Sequence, residues 1–321
     1  MFELILKILV TMLSVTGLLI LGGLLRRSHV LKHRHDRPLL KLIIRGLLPA
    51  LIFGLIAGNK SLRDPVRALT PPLMGFGLIV FGFAVAAMAV RMLRRVHPMS
   101  LPAQRTFIFT VGVQNYGYIA APIAVVLYGM DSLAVLYLHN VGVDLAYWTI
   151  GVLIMTGHFS RSTLLRAINP PSVAIVIALI TNWTGLADHI PVDVTDAMTF
   201  VGKISIPLGL ILIGATISDH LREANLRGSF KMVATAAALR LVLIPTCIVF
   251  IAWLLPVAIE LKQIMIVQAA MPSGVFAIVM ARHYQGDTPT AMRIILATNV
   301  ICLFTMPIWL PIGLAIIGVK M

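Results

Sequence analysis

The chain is a series of apolar stretches, each about as long as a lipid bilayer is thick, joined by short polar connections. A spanning helix needs about 20 predominantly apolar residues. Ten stretches meet this length, and we number them spans 1 to 10: residues 2–25, 39–58, 69–90, 106–129, 133–157, 170–187, 195–217, 232–255, 263–285 and 289–318. Charged residues make up only 12% of the chain, too few to cover the surface of a soluble globule. The sequence therefore predicts an all-α polytopic membrane protein.

The positive charges lie mainly in alternate connections between spans. The formal net charge is +14, which in a soluble protein would suggest nucleic acid as a partner. Here the pattern instead indicates orientation, because cytoplasmic loops are enriched in Lys and Arg. We expect both termini to lie outside, membrane lipid to be a partner, nucleic acid not to be one, and the plasma membrane of a bacterium to be the location. The cytoplasmic set is Arg26, Arg27, Lys32, Arg34, Arg37, Lys41, Arg91, Arg94, Arg95, Arg105, Arg161, Arg166, Arg222, Arg227 and Lys231.

Spans 4 and 9 each carry a glutamine and a proline in the middle of the apolar stretch. Span 4 contains Gln114 and Pro122, and span 9 contains Gln268 and Pro272. Proline removes a helical hydrogen bond, and non-helical backbone at membrane depth is tolerated only where it is buried in protein or lines a cavity. A matched pair of interrupted segments is the best sequence pointer to the binding site of a secondary transporter.

The two halves of the chain share a weak order of motifs. Arg45 and Lys203 each stand four residues before a proline, and Asn140 and Asn299 are each followed by valine. Five spans per half is an odd number, so two related halves must enter the membrane from opposite sides. The sequence predicts an inverted repeat, with residues 1–158 as the first half and 159–321 as the second.

Five motifs together carry a resemblance to a known family. They are LPALIF (48–53), Asn115-x-Gly117-x-x-x-x-Pro122, NPPSVAIVIALI (169–180), ISIPLGLILIGATI (204–217) and MPSGVFAIVMARHYQGD (271–287). With these motifs the chain resembles the auxin efflux carrier family, whose bacterial members include permeases for malonate and other organic acids. The resemblance implies the fold of bile-acid symporters and sodium/proton antiporters. In that fold spans 4 and 9 cross at their breaks, spans 1, 2, 6 and 7 form a panel, and spans 3–5 and 8–10 form a core that moves organic anions like an elevator.

The crossing is the predicted substrate site. A helix that restarts after Pro122 or Pro272 would direct free N–H groups and a positive dipole end at the membrane centre, which suits an anion. Amide side chains can donate hydrogen bonds to a carboxylate, and two tyrosines can form an aromatic wall. The alternative is that the amides satisfy backbone groups freed by the breaks and the tyrosines only pack. The predicted binding residues are Gln114, Asn115, Tyr116, Gly117, Tyr118, Pro122, Gln268, Pro272 and Ser273.

Ionisable residues deep in the spans form a second predicted set. Asp144 lies roughly 17 Å into span 5 and Arg240 roughly 13 Å into span 8 at 1.5 Å per residue. Such residues are functional candidates by default, and we expect these two to pair. The pair is either a permanent structural contact or a proton switch. The full predicted coupling set is Asn140, Asp144, Arg240, Lys203, Arg45 and Asn299. Arg45 either faces the cavity or reaches back to the cytoplasmic headgroups.

These observations favour a carrier over an enzyme or a channel. An enzyme acting on lipid would need several acids or metal ligands at one depth, whereas the spans hold one deep carboxylate. We therefore expect a sodium-independent organic-anion carrier without cofactor or metal, either proton-coupled or a uniporter, because Arg45 and Lys203 would oppose bound sodium. A sodium-coupled symporter like the bile-acid carriers, a membrane-embedded enzyme and a homodimeric assembly stay open.

Overall fold

The computed structural model describes residues 2–94, 98–158, 165–221 and 230–319. Arg95, Arg161, Arg222 and Arg227 of the predicted cytoplasmic set lie outside these ranges. The described residues form 13 helices of eight residues or more. They are α1 (Phe2–Arg27), α2 (His33–Ile56), α3 (Pro65–Leu93), α4 (Leu101–Gly112), α5 (Ala120–Tyr128), α6 (Ser132–Thr156), α7 (Pro170–Trp183), α8 (Val192–Gly202), α9 (Ser205–Leu221), α10 (Phe230–Leu254), α11 (Ile259–Ala270), α12 (Phe276–His283) and α13 (Thr288–Ile316).

The length and exterior of these helices suit a membrane. Within the described residues, seven helices are long and apolar enough to cross a bilayer by length and composition: α1, α2, α3, α6, α8 with α9 as one segment, α10 and α13. Large apolar side chains point outward, among them Leu13, Phe200 and Phe304, which are 73%, 72% and 72% exposed. An exterior of this kind suits lipid, because soluble proteins rarely expose large contiguous apolar patches. The protein is a multi-pass membrane protein.

Proline shapes two of the long helices locally. Pro49 in α2 follows a π-helical turn at Ile43–Leu47, and Pro245 in α10 follows one at Leu239–Leu243. Proline cannot donate to the carbonyl one turn earlier, so the wider turn lets each helix continue past it. The π turn of α10 contains Arg240, and such turns are frequent at functional sites.

The helices pack in two bundles. In the smaller bundle α1 lies along α9, and α2 packs against α7 and α8. In the larger bundle α3 lies along α6 and α4, while α10, α11 and α13 pack together and α13 also contacts α4. Glycine allows the closest approaches, because a Cβ on Gly142 of α6 would lie 1.7 Å from the Pro72 carbonyl oxygen of α3. A Cβ on Gly214 of α9 would lie 1.9 Å from the Leu19 carbonyl oxygen of α1.

Two apolar segments are interrupted, and their interruptions meet. The first break, residues 113–119, separates α4 from α5, and the second break, residues 271–275, separates α11 from α12. The Asn115 N–H donates to the Pro272 carbonyl at 2.8 Å, and the Gly274 N–H donates to the Val113 carbonyl at 3.0 Å. This antiparallel bridge between Gln114 and Ser273 satisfies backbone groups that lipid could not.

The helices that follow the breaks do not begin directly after Pro122 and Pro272. Pro122 lies within the first turn of α5, which begins at Ala120, because proline needs no N–H partner at that position. Pro272 and Ser273 lie inside the second break, and α12 begins only at Phe276. The prediction that helices restart directly after Pro122 and Pro272 is therefore wrong by a few residues in each case.

Candidate functional site

A cavity of about 440 Å³ lies between the two bundles. On one side it is lined by α2, α7 and α9, and on the other by the first break, α6 and the start of α12. The face of α2 that lines it carries Asp36, Leu40, Ile44, Leu48 and Ile52, one residue per turn over roughly 24 Å of helix. The volume falls in the range of small-molecule sites.

Seven of the predicted site residues line this cavity: Gln114, Asn115, Tyr116, Gly117, Tyr118, Asn140 and Asp144. The second break and the start of α12 contribute Gly274, Val275 and Phe276, which the sequence does not single out. Asn115 is 6% exposed, and none of the described residues hydrogen-bonds its side-chain amide. The first break thus supplies an amide that is free to bind a ligand.

The other predicted residues lie outside the lining of the cavity: Pro122, Gln268, Pro272, Ser273, Arg240, Lys203, Arg45 and Asn299. Ser273 is fully buried, and its N–H donates to the Thr298 hydroxyl at 3.3 Å. It therefore lies behind the second break and does not cap α12, whose described N-terminus has no side-chain cap. Its hydroxyl is buried without a hydrogen-bond partner among the described residues and does not reach the cavity lining.

Three amides hold the breaks in place. Gln268 donates to the Tyr116 carbonyl at 3.0 Å and to Asn140 Oδ1 at 3.1 Å, and Asn140 donates to the same carbonyl at 3.0 Å. Asn299 donates to the Ser273 carbonyl at 3.3 Å and to the Ile295 carbonyl at 2.8 Å. For Gln268 this is the alternative role, the satisfaction of backbone that the breaks free, and Asn299 makes the same kind of contact at the second break. Asn140 serves the first break and also lines the cavity.

The predicted ion pair between Asp144 and Arg240 is wrong. Both residues are described, and each has other partners. Asp144 accepts hydrogen bonds from the Tyr116 hydroxyl at 2.7 Å and the Asn169 amide at 3.2 Å. Arg240 is 1% exposed and donates to the carbonyl oxygens of Met271 at 3.0 Å, Gln268 at 3.3 Å and Ala269 at 3.4 Å. These carbonyls lie where the regular hydrogen bonds of α11 end, although that of Gln268 still accepts the Met271 N–H at 3.3 Å, and they attract the guanidinium.

Arg45 and Lys203 are exposed on the outer surface of the protein. Arg45 lies in the π turn of α2, and Lys203 lies in the short turn between α8 and α9. Neither of them lines the cavity, so the predicted charge at the site has no support at these positions. Long cationic side chains on an apolar exterior reach toward headgroups. These two cations therefore give no reason to exclude a bound sodium ion.

Several lining residues are missed by the sequence interpretation. Asn169 caps α7 by accepting the Ser172 N–H at 2.9 Å, and both residues line the cavity. The Asn169-Pro-Pro sequence is a recognisable N-cap signal, but nothing local shows that the cap faces Asp144. Arg166 donates to the Tyr284 hydroxyl at 2.9 Å and lies over the Trp148 ring at 5.9 Å from its centroid.

The charged side chains of the cavity wall lie apart from one another. The charged lining residues are Asp36, Asp144 and Arg166. Asp36 accepts two hydrogen bonds of 2.7 Å from Arg26, so its charge is compensated. Arg166 is exposed, whereas Asp144 lies next to the first break. The crossing itself offers neutral amides, a tyrosine hydroxyl and the N-terminal ends of α5 and α12, which favour negative charge.

Comparison with known proteins places these features in context. A family model described as "Membrane transport protein" matches residues 7–164 and 158–310. An uncharacterized transporter of Methanothermobacter thermautotrophicus is 26% identical over 309 residues, which cover 93% of this chain and 96% of the relative. An uncharacterized transporter of Methanocaldococcus jannaschii is 22% identical over 302 residues, which cover 92% and 96%. The matches extend along nearly the whole chain.

Proposed function

The chain belongs to the membrane transport protein family, which includes the auxin efflux carriers, and we propose that it carries small organic carboxylates across the plasma membrane. The substrate is an auxin-like monocarboxylate or a malonate-like dicarboxylate. It binds where the two breaks cross, and the chain acts as a carrier rather than an enzyme.

One observation carries this proposal: the two breaks meet at the wall of a ligand-sized cavity that separates the bundles. Asn115 lies in this wall, and its side-chain amide has no hydrogen-bond partner among the described residues. α5 and α12 both begin at the crossing, so their positive dipole ends lie nearby and favour an anion. The N–H groups of Ala121, Ala277 and Ile278 are already donated to backbone carbonyls, so the dipole and not a set of free N–H groups supplies the attraction. Apolar residues of α2 and α9 line the opposite wall, which suits the carbon skeleton of an organic acid.

We further propose ten membrane spans in two inverted repeats, 1–158 and 159–321. The seven continuous spans are joined by α7 and by the two interrupted segments, α4 with α5 and α11 with α12. Asn140 and Asn299 support the repeat, because each follows an interrupted segment and donates to a carbonyl of a break. Elevator-type transport would move the larger bundle past the smaller one, since the cavity lies between them. Both termini would face outward.

Counterflow in proteoliposomes tests the proposed function. Liposomes that hold the purified protein are loaded with unlabelled malonate or indole-3-acetate, and uptake of the same labelled acid is measured in sodium-free buffer. We expect saturable uptake that unlabelled acid on the inside accelerates, as carriers show. Asn115→Ala should raise the apparent KM about tenfold, the loss of one hydrogen bond to a charged group. Asn115→Asp, which has almost the same shape, should abolish uptake because it adds a negative charge.

Three results would contradict the proposal. Equal uptake by wild type and Asn115→Asp would show that no anion passes beside this residue. Strict dependence on a sodium gradient would identify the sodium-coupled alternative. Absence of counterflow for every carboxylate, with thermal stabilisation by a neutral or cationic solute, would assign another substrate class.

A further inference from the structure

Asp144 has two hydrogen-bond partners, and one of them is fixed as a donor. The Asn169 Oδ1 atom accepts the Ser172 N–H at 2.9 Å and the Ser172 hydroxyl at 3.0 Å. This orients the amide, so that Nδ2 donates to Asp144 Oδ2 at 3.2 Å. The second carboxylate oxygen, Oδ1, lies 2.7 Å from the Tyr116 hydroxyl. A proton arriving at Asp144 therefore has one favourable position, on Oδ1 facing Tyr116.

Tyr116 is held in place by its own backbone. Its carbonyl accepts hydrogen bonds of 3.0 Å from both Asn140 and Gln268, which fixes the residue at the crossing. Tyr116 and Asp144 both line the cavity and are both partly exposed. A carboxylate bound at the crossing therefore comes within reach of the tyrosine hydroxyl and close to the charge of Asp144.

That charge has no cationic partner within the described part of the chain. Arg240 is engaged with three backbone carbonyls, and Arg166 with Tyr284 and His283. The other titratable groups of the cavity wall are Tyr118, Tyr137 and Asp36, and Tyr147 lies next to Asp144 on α6. The start of α12 adds Gly274, Val275 and Phe276, which do not titrate. A substrate anion beside ionised Asp144 would meet an uncompensated like charge, which a proton on the carboxylate would remove.

The Tyr116 hydroxyl has one hydrogen and two lone pairs. While Asp144 is ionised, the hydrogen is donated to Oδ1 and is not available to a ligand. When Oδ1 is protonated, its new hydrogen is donated to the tyrosine oxygen. The hydroxyl hydrogen of Tyr116 is then free to turn toward the cavity.

We propose that the protein couples one proton to each carboxylate it binds, with Asp144 as the proton carrier and Tyr116 as the residue that transmits its state to the substrate. This inference rests on the proposed function and adds the coupling ion. A proton from water binds Asp144 Oδ1, Asp144 donates to the Tyr116 oxygen, and Tyr116 donates to the substrate carboxylate. No covalent bond of tyrosine breaks. A monocarboxylate and its proton cross together without net charge.

The coupling has a measurable sign. Because binding takes up a proton, affinity for an ionised carboxylate should fall up to tenfold per pH unit as pH rises through the range where free Asp144 is ionised. Asp144→Asn keeps the shape of the protonated side chain, with its Oδ1 accepting from Asn169 and its Nδ2 donating to Tyr116. This variant should bind with the affinity that wild type reaches at low pH, and its affinity should not change with pH.

The test measures proton uptake and affinity on the same purified protein. Indole-3-acetate and malonate are each mixed with wild type in weakly buffered, sodium-free solution near pH 7, and a pH indicator reports the protons taken up. We expect about one proton per bound indole-3-acetate for wild type and none for Asp144→Asn. Tyr116→Phe should bind about tenfold more weakly at low pH, because the donor is lost. Tyr128→Phe is the matched control, because Tyr128 lies outside the cavity lining and its hydroxyl has no hydrogen-bond partner among the described residues, and it should behave like wild type.

Each outcome decides between the two proposals. Carboxylate binding without proton uptake in wild type, or an unchanged pH profile in Asp144→Asn, would overturn the coupling and leave the proposed function standing. Binding of neither acid at any pH between about 5 and 8 would overturn both. The wild-type measurement needs no variant, so it remains decisive even if a substitution prevents folding.

Discussion

Replacing Arg240 by methionine tests whether the second break depends on a buried cation. The guanidinium donates to three carbonyls, at 3.0 Å through Nε and at 3.3 and 3.4 Å through one Nη atom. Methionine fills a similar volume and cannot donate, so the substitution removes the hydrogen bonds with little change in packing. The carbonyls of Ala269 and Met271 would then be buried without their donor, whereas that of Gln268 would keep the Met271 N–H at 3.3 Å.

The expected loss follows from these contacts. A buried acceptor without a donor costs about 1–3 kcal/mol. The two long bonds share one nitrogen, so we count about two full bonds, or roughly 2–6 kcal/mol. Methionine also avoids the desolvation of a charge, which offsets part of the loss. We expect the free energy of unfolding to fall by about 3 kcal/mol, and the melting temperature by about 6 °C at roughly 2 °C per kcal/mol.

Tryptophan fluorescence during heating of the detergent-solubilised protein measures this shift, since the chain has four tryptophans. Arg45→Met is the matched control, because Arg45 also lies in a π turn but is exposed. Its melting temperature should change by about 1 °C or less. If Arg240→Met melted within about 1 °C of wild type, the carbonyls would have other donors and the role assigned to Arg240 would be wrong.

Three further substitutions test the packing and the cavity. Gly142→Ala places a Cβ 1.7 Å from a carbonyl oxygen of α3. The overpacking costs about 1–3 kcal/mol and should lower the melting temperature by several degrees. Gly77→Ala is the control, because a Cβ there meets open space, and it should leave the melting temperature unchanged. Gly209→Ala places a Cβ 2.0 Å from the Tyr118 ring, across the boundary between the two bundles. We expect it to slow counterflow while the melting temperature changes little. Unchanged counterflow would contradict movement at this contact. Arg166→Gln should raise the apparent KM for anion uptake a few-fold in low salt and less at high salt, because an exposed charge is screened; a salt-independent effect would exclude electrostatic attraction.

Much of the helical framework follows from the sequence alone. Apolar length predicts the continuous helices, because lipid leaves the backbone no other partner than its own helix. Polar residues and proline inside an apolar stretch predict both interruptions, since each removes helical hydrogen bonds or supplies side chains to replace them. The residues next to the first break, from Gln114 to Tyr118, follow for the same reason. They are local to the interruption that creates the site.

Contacts between segments that are distant in the sequence are harder to predict. The second break lines the cavity with Gly274, Val275 and Phe276, whose apolar or absent side chains give no chemical signal. Asn169 is recognisable as a helix cap, yet its bond to Asp144 depends on how α7 meets α6. From the sequence alone Arg166 is one more cytoplasmic cation, because its contacts with Trp148 and Tyr284 form only in the folded chain. In each case the local role is visible, and the partner is set by packing.

The misassigned partner of Arg240 shows where residue counting fails. Counting along a helix gives the depth of a side chain, and Asp144 and Arg240 have similar depth. It does not give the side of the crossing that each side chain faces, because a rotation of 100° per residue separates neighbours around the helix. The last carbonyls of α11 form the negative end of a helix dipole and lack their full set of helical donors, so they compete with Asp144 for the nearest cation. A broken membrane helix creates this demand wherever it ends, and a buried arginine on a helix beside such a break should be assigned first to those carbonyls. The consequence here is functional: with Arg240 bonded to those carbonyls, Asp144 is left with the neutral donors Tyr116 and Asn169, and this arrangement is the premise of the proposed proton coupling.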